Sequence, residues 1–124
     1  MQDGKHVILC IDDDQDVLDF LTTVLESAEY KVLTATTGEE GVRVFQAAGP
    51  DLVIVDLMME EVDAGANFVK ELRAQGCKAP IYMLSSMGDD LNQITDYSAL
   101  GLAGVLQKPL DSKKLLALLK AKLK

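Results

Sequence analysis

The stretch Val53-Ile54-Val55-Asp56 decides the fold of this chain. Three apolar residues lead directly into a carboxylate, with no polar residue among them to mark a side that faces solvent. A short, continuous apolar run of this kind is typical of a strand that is buried on both faces, as in a parallel sheet. Asp56 then stands at the carboxyl end of that strand, where open α/β sheets bind their ligands. Asp56 is therefore the first candidate functional residue.

Composition limits the classes of function that are plausible. The chain has 124 residues, of which 48% are hydrophobic, and 12 basic against 20 acidic residues give a net charge of -8. The length predicts one domain over residues 1–124, and we expect residues 1–5 to be a loose tail. The acidic balance argues against broad binding to nucleic acids or to anionic membranes. Cations and basic protein surfaces are the partners that it favours.

Targeting signals and cysteines point to a cytoplasmic protein. No apolar run reaches the length of a membrane span, and the run at residues 7–11 is too short for a signal peptide. Cys10 lies in that run and is predicted to be buried, and we do not expect it to form a disulfide with Cys77. A reducing compartment is therefore predicted, with no membrane insertion.

Strand and helix patterns alternate five times along the chain. The predicted strands are residues 6–11, 31–35, 52–55, 81–84 and 104–107, and the predicted helices begin near residues 14, 38, 66, 89 and 111. The first helix is expected to turn Val17, Phe20, Leu21, Val24, Leu25 and Ala28 inward. Thr37 is predicted to cap the second helix. Short links between alternating strands and helices imply a parallel sheet with helices on both faces.

Polar side chains follow four of these strands at the point where each strand ends. They are Asp12 and Asp13 after the first strand, Asp56 after the third, Ser85 after the fourth and Lys108 after the fifth. The carboxyl ends of parallel strands share one edge, so these residues can meet despite their separation in sequence. Three converging carboxylates would repel each other unless a divalent cation such as Mg²⁺ joined them. A phosphoryl group on Asp56 would be neutralised by that metal, by Lys108 and by Ser85.

Four pieces of the sequence resemble the receiver domain of two-component response regulators, in the same order and at similar spacing. They are Ile11-Asp12-Asp13-Asp14, the run from Pro50 to Met59, Met83-Leu84-Ser85-Ser86 and Lys108-Pro109-Leu110. The resemblance covers essentially the whole chain. It implies the flavodoxin-like α/β fold, a doubly wound five-stranded parallel sheet in the order 2-1-3-4-5 with five helices.

The resemblance also implies a function. Asp56 would accept a phosphoryl group from a sensor histidine kinase or a phosphotransfer protein and relay the signal to a downstream protein target. The chain would then be a signalling switch and not an enzyme that acts on a separate substrate. Mg²⁺ would be held by Asp13, Asp56 and the backbone carbonyl of Met58.

The remaining site residues take their roles from the same resemblance. Asp12 would act mainly through water held by the metal. Lys108 would pair with the phosphoryl group, and Ser85 would move to bind it. Val105 stands where the family usually has an aromatic residue that reports phosphorylation, so the usual readout is not expected here.

Three other interpretations compete with this one. Asp12 and Asp14 have the spacing of an aspartate-nucleophile phosphohydrolase that uses Mg²⁺. Asp12, Asp14 and Asp16 also begin like an EF-hand loop, although Val17 stands where that loop needs glycine. The third interpretation is a receiver-like interaction module that is never phosphorylated.

Overall fold

A single parallel sheet organises the part of the chain that can be described. The computed structural model describes residues 4–56, 70–85, 104–107 and 111–123. The strands in this part follow the order β2-β1-β3-β4-β5, which is the order that the resemblance implies. They are β1 (Val7–Ile11), β2 (Lys31–Ala35), β3 (Leu52–Asp56), β4 (Ile81–Ser85) and β5 (Gly104–Gln107).

Helices lie on both faces of this sheet. They are α1 (Gln15–Ser27), α2 (Gly38–Ala48), α3, which is described over residues 70–74, and α4 (Ser112–Lys122). The helix predicted to begin near residue 89 lies outside the described residues, so the number of five helices stays a prediction. Residues 15–27 are helical where an EF-hand would need a loop, and this excludes the EF-hand interpretation.

Every residue of β1 is fully buried, because the strand is covered on both faces. Leu9 and Ile11 belong to a core cluster that includes Leu72 and is completed by partly buried side chains of α2. Ile8 and Cys10 belong to a second cluster, which α1 and α4 complete. Alternate residues of a strand point to opposite faces, so the continuous apolar run feeds two cores. This confirms the predicted parallel sheet with helices on both sides.

Most of the face of α1 that was predicted to turn inward does so: Leu21 and Leu25 are buried, and Val17 and Val24 pack partly buried against the same core cluster. The buried residues of α1 are Leu18, Leu21 and Leu25. The prediction that Phe20 faces the core is wrong, since Phe20 is 39% exposed. Leu18 is buried and Phe20 is not, because the two lie at opposite edges of the apolar face of α1 and the face packs on the side of Leu18.

The positions where α2 begins and ends follow local signals in the sequence. Thr37 Oγ1 accepts a hydrogen bond of 3.1 Å from the backbone N–H of Glu40, which confirms the predicted cap of α2. Gly49 ends α2 with a φ of 59°, a left-handed conformation that glycine adopts without strain. At the amino-terminal end, Lys5 forms an isolated β-bridge and is exposed; residues 1–3 lie outside the described part, so the loose tail stays a prediction.

Glu29 holds a left-handed conformation immediately after α1, with a φ of 69°. Its N–H donates to the Glu26 carbonyl at 3.0 Å, and the N–H of Tyr30 donates to the Leu25 carbonyl at 3.0 Å. These bonds close the helix in the way that usually employs glycine. A residue with a Cβ is strained in this conformation by about 1–2 kcal/mol.

Glu29→Gly is therefore expected to stabilise the protein. Relief of strain outweighs the greater freedom of glycine in the unfolded chain, and we expect a gain of about 0.5–1 kcal/mol in the free energy of unfolding. The matched control is Glu26→Gly, the same change inside α1, which should lose about 0.5–1 kcal/mol. Urea denaturation measures both variants, and a loss of stability in Glu29→Gly would contradict the account of this turn.

Candidate functional site

The register of β1 and β3 brings two of the predicted site residues to the same edge of the sheet. Ile11 pairs with Val55, so Asp12 and Asp56 each follow directly after a paired residue. Neighbouring strands lie about 4.8 Å apart, so the two backbones are adjacent at this point. These aspartates are far apart in the sequence, and the parallel pairing of their strands brings their backbones close together in space.

Asp12 is a buried carboxylate that the backbone holds in place. It has no exposed surface, unlike Asp13 and Asp14, which follow it in sequence. Its Oδ1 accepts a hydrogen bond of 2.9 Å from the N–H of Asp14, and its own N–H donates to the carbonyl of Ala35 at 3.1 Å. The first bond ties the carboxylate to the start of α1, and the second ties the backbone to the end of β2.

The next two aspartates are exposed and have different surroundings. Asp13 carries an exposed side chain directly beside the buried Asp12. Asp14 is the N-cap of α1, and its Oδ1 accepts a hydrogen bond of 2.9 Å from the N–H of Asp16. Carboxylates at this end of a helix are stabilised by the positive end of the helix dipole. The same dipole favours negative charge in the adjoining site.

Strands β4 and β5 extend the edge toward the other predicted residues. Asp56 pairs with Leu84, which immediately precedes Ser85, and Ser85 pairs with Gln107. Lys108 follows Gln107 in sequence, but it lies outside the described residues, as does Met58. Val105 pairs with Met83 within β5, and only its backbone is described.

The donor atoms at this edge suit a hard divalent cation. Asp12 and Asp13 are consecutive residues with carboxylate side chains, one buried and one exposed. Mg²⁺ commonly takes one or two protein carboxylates and keeps several waters, so this pair fits its requirements. Within the described residues, no group of three or more metal-binding side chains is present. A complete metal site would therefore have to draw on residues such as Asp56 and Met58.

The carboxylate of Asp12 affects the protonation of a buried thiol in the core, that of Cys10. Burial, and to a smaller extent the neighbouring carboxylate of Asp12, raise the pKa of the Cys10 thiol from 9.0 to about 12. Cys10 precedes Asp12 by two residues on β1, and it is fully buried. Cys10 and Cys77 are both free thiols, as the sequence predicts. A neutral thiol is the form of Cys10 that this position stabilises.

A pair that the sequence did not reveal lies at the opposite edge of the sheet. Nδ1 of His6 lies 3.8 Å from Oδ2 of Asp51, and that oxygen accepts a hydrogen bond of 2.7 Å from the N–H of Val7. Both residues precede their strands, so they lie far from Asp12 and Asp56. Their role is to hold the amino-terminal ends of β1 and β3 together.

Comparison with known proteins gives the family of this fold and site. A family described as "Response regulator receiver domain" matches residues 8–120. The chain belongs to the response regulator receiver family. Receiver domains are signalling switches and not classical enzymes, which agrees with the predicted class of function.

Individual relatives support the same assignment. The receiver is 36% identical over 124 residues to a probable transcriptional regulator, ycf27, of Cyanophora paradoxa, covering 100% of this chain and 51% of that protein. It is 32% identical over 114 residues to the alkaline phosphatase synthesis transcriptional regulatory protein PhoP of Bacillus subtilis, covering 92% of this chain and 47% of that protein. The chain thus spans about half the length of these curated relatives.

Solved structures show the same fold. The chemotaxis protein CheY4 of Vibrio cholerae superimposes with a TM-score of 0.87 and 31% identity, covering 97% of this receiver and 100% of that chain. A putative response regulator from Chloroflexus aurantiacus gives a TM-score of 0.86 at 30% identity, covering 97% and 98% of the two chains.

None of the described helices has the length and apolar character that a membrane crossing requires.

The Cys10 thiol generates a prediction about alkaline pH. Its folded-state pKa lies above the ordinary value, so the stability that depends on the neutral thiol is complete below pH 9.0 and is lost as the pH rises toward about 12. In buffer with a chelator, the free energy of unfolding should fall by about 1 kcal/mol for each pH unit in this window because of Cys10 alone.

Cys10→Ala should reduce this dependence on pH, although it also lowers stability at every pH. Ile8→Val is the matched control, because it removes packing from the same strand and the same core cluster without removing a titratable group. Urea denaturation at several pH values distinguishes the two variants. Equal slopes in Cys10→Ala and Ile8→Val would contradict the predicted role of the thiol.

Proposed function

We propose that Asp56 accepts a phosphoryl group in a reaction that depends on Mg²⁺, and that the receiver relays this modification to a protein partner. The observation that carries the proposal is the register that sets Asp56 beside Asp12, a fully buried residue whose carboxylate accepts one backbone hydrogen bond and whose own N–H donates another. Membership of the receiver family adds to it.

The reaction is a transfer between two side chains. An oxygen of Asp56 attacks the phosphorus of a phosphohistidine on the donor protein, the P–N bond breaks, and the histidine leaves with the electron pair and takes up a proton. The product is an acyl phosphate on Asp56. Small acyl phosphates such as acetyl phosphate carry the same reactive group and can replace the donor.

The neighbouring residues would neutralise the transferred group. Mg²⁺, when bound, supplies positive charge to the phosphoryl oxygens. Asp13, Asp56 and the carbonyl of Met58 would hold it, and Asp12 would orient the water around it. The resemblance to the family further assigns Lys108 to pair with the phosphoryl group.

Ser85 completes the assignment as the hydroxyl that binds the phosphoryl group and couples it to the rest of the domain. Support for this comes from the register, since Ser85 directly follows the residue paired with Asp56. The donor would be a sensor histidine kinase or a phosphotransfer protein in the cytoplasm. The downstream target would be another protein. It would recognise the phosphorylated state without the aromatic residue that Val105 replaces.

The competing phosphohydrolase would use Asp12 as its nucleophile and Asp14 as its second acid. The surroundings of both residues argue against it. Asp12 has no exposed surface from which to attack a phosphomonoester, and Asp14 uses Oδ1 to cap α1. A phosphatase activity that survives Asp56→Asn but is lost in Asp12→Asn would favour this alternative nonetheless.

Acetyl phosphate with Mg²⁺ is expected to add the mass of one phosphoryl group to the protein, as measured by intact mass spectrometry. Asp56→Asn should remove the adduct completely, because an amide oxygen cannot form the acyl phosphate. The matched control is Asp14→Asn, which keeps a competent helix cap beside the site and should retain the adduct. An unmodified wild-type protein, as an unphosphorylated interaction module would give, contradicts the proposal.

Asp13→Asn should weaken Mg²⁺ binding by about tenfold or more, because it removes an exposed carboxylate ligand. Isothermal titration calorimetry measures this affinity directly. Asp16→Asn removes the same charge from the first turn of α1 and is the control, with an expected change of less than about twofold. An equal loss of Mg²⁺ affinity in both variants would show that the net negative charge of this region attracts the cation and that Asp13 is not a ligand.

A further inference from the structure

A surface groove between α4 and the turn that follows α1 has the features of a docking site. Its volume is about 600 Å³, and the residues that line it are Ser27, Ala28, Glu29, Tyr30, Lys113, Leu116, Ala117 and Lys120. Five of these eight side chains are exposed, so the space is a groove open to solvent and not an enclosed cavity. None of the eight belongs to the phosphorylation site proposed above.

One wall of the groove is a regular stripe of α4. Lys113, Leu116, Ala117 and Lys120 stand at positions i, i+3, i+4 and i+7, which share one face of a helix. The stripe therefore presents a short apolar floor between two lysines. These lysines are two turns apart, or about 10.5 Å along the helix axis.

The charge of α4 differs in sign from that of the chain as a whole. The helix carries Lys113, Lys114, Lys120 and Lys122 and no acidic residue, whereas the whole chain has a net charge of -8. Only two of these lysines line the groove. The groove is thus a local basic site on an acidic molecule, and it is suited to an acidic ligand with an apolar side.

The opposite wall carries a single carboxylate in a strained position. Glu29 lines the groove with a φ of 69°, a conformation that costs a residue with a Cβ about 1–2 kcal/mol. Side chains held in strained backbone are a recognised feature of binding sites. A ligand that fits both walls would carry acidic groups toward α4 and a basic group toward Glu29.

We propose that this groove docks an amphipathic helix of a partner protein. Apolar residues of that helix would contact Leu116 and Ala117, and acidic residues two turns apart would pair with Lys113 and Lys120. An amphipathic helix laid in a surface groove is an established mode of recognition, and its anchors recur at i, i+3, i+4 and i+7. Because the acidic residues of the partner helix would have the same seven-residue spacing as Lys113 and Lys120, both charge pairs could form at the same time.

Other occupants fit the groove less well. A symmetric second copy would place the lysines of α4 close to the same lysines of its partner, where they repel each other. An anionic membrane or a nucleic acid would meet a molecule whose net charge is -8, and that charge disfavours both.

The test uses a labelled helical peptide of about 15 residues, a length at which isolated helices become stable. It carries leucines on one face, two glutamates seven residues apart on one flank and one lysine on the other flank. A second peptide has lysines in place of the two glutamates. Fluorescence anisotropy measures affinity, and amide chemical shifts of the receiver locate the contact.

We expect the glutamate peptide to bind and to shift residues 27–30 and 113–120. Lys113→Glu with Lys120→Glu should weaken this binding by about tenfold, which is the combined effect of two exposed charge pairs. The same double variant should gain affinity for the lysine peptide. Lys114→Glu with Lys122→Glu is the matched control and should change either affinity by less than about threefold.

Two results would overturn the proposal. One is that both double variants, with unchanged circular dichroism, lose affinity equally, since the peptide would then sense only net charge. The other is sedimentation of the receiver as a dimer that Lys113→Glu with Lys120→Glu dissociates, which would assign the groove to a second copy. Asp56→Asn should bind the glutamate peptide with the affinity of the wild-type protein. Peptide binding therefore tests the groove independently of the phosphorylation of Asp56.

Discussion

Parallel pairing between β1 and β3 is the constraint on which the rest of this receiver depends. Both strands are buried on both faces, so a shift of register by one residue would exchange the side chains of the two core clusters. The pairing of Ile11 with Val55 is fixed for this reason. Packing in the core thereby determines the relative position of the Asp12 and Asp56 backbones at the edge of the sheet.

The site is built from charges that the fold tolerates at a cost. A buried carboxylate such as Asp12 is expensive to desolvate, and its hydrogen bond from Asp14 and the start of α1 offset part of that cost. Burial, and to a smaller extent the charge of Asp12, also raise the pKa of Cys10 on β1, so the effect of this charge extends into the core. A cation bound at this edge would relieve the remaining repulsion. Under the proposed function, these same carboxylates would bind Mg²⁺, and the bound metal would neutralise a phosphoryl group on Asp56.

The sequence was sufficient for the strands and for the edge where the site lies. Continuous apolar runs identify strands covered on both faces, and the residue after each run falls at a common edge whatever the details of packing. The edges of the inward face of α1 were less predictable, because Leu18 and Phe20 both adjoin the apolar face and only packing against the sheet buries Leu18 and exposes Phe20. Glu29 in a left-handed turn and the pairing of His6 with Asp51 were also missed. Each depends on contacts or backbone geometry that local sequence does not encode.

The most direct test of the central claim is to locate the modified residue. Borohydride reduces an aspartyl phosphate to homoserine, so treatment after acetyl phosphate and Mg²⁺, followed by peptide mass spectrometry, identifies the acceptor. The account predicts homoserine at position 56 and at no other aspartate. Homoserine at position 12 or 13, or none at all in protein that carries the phosphoryl mass, would contradict it.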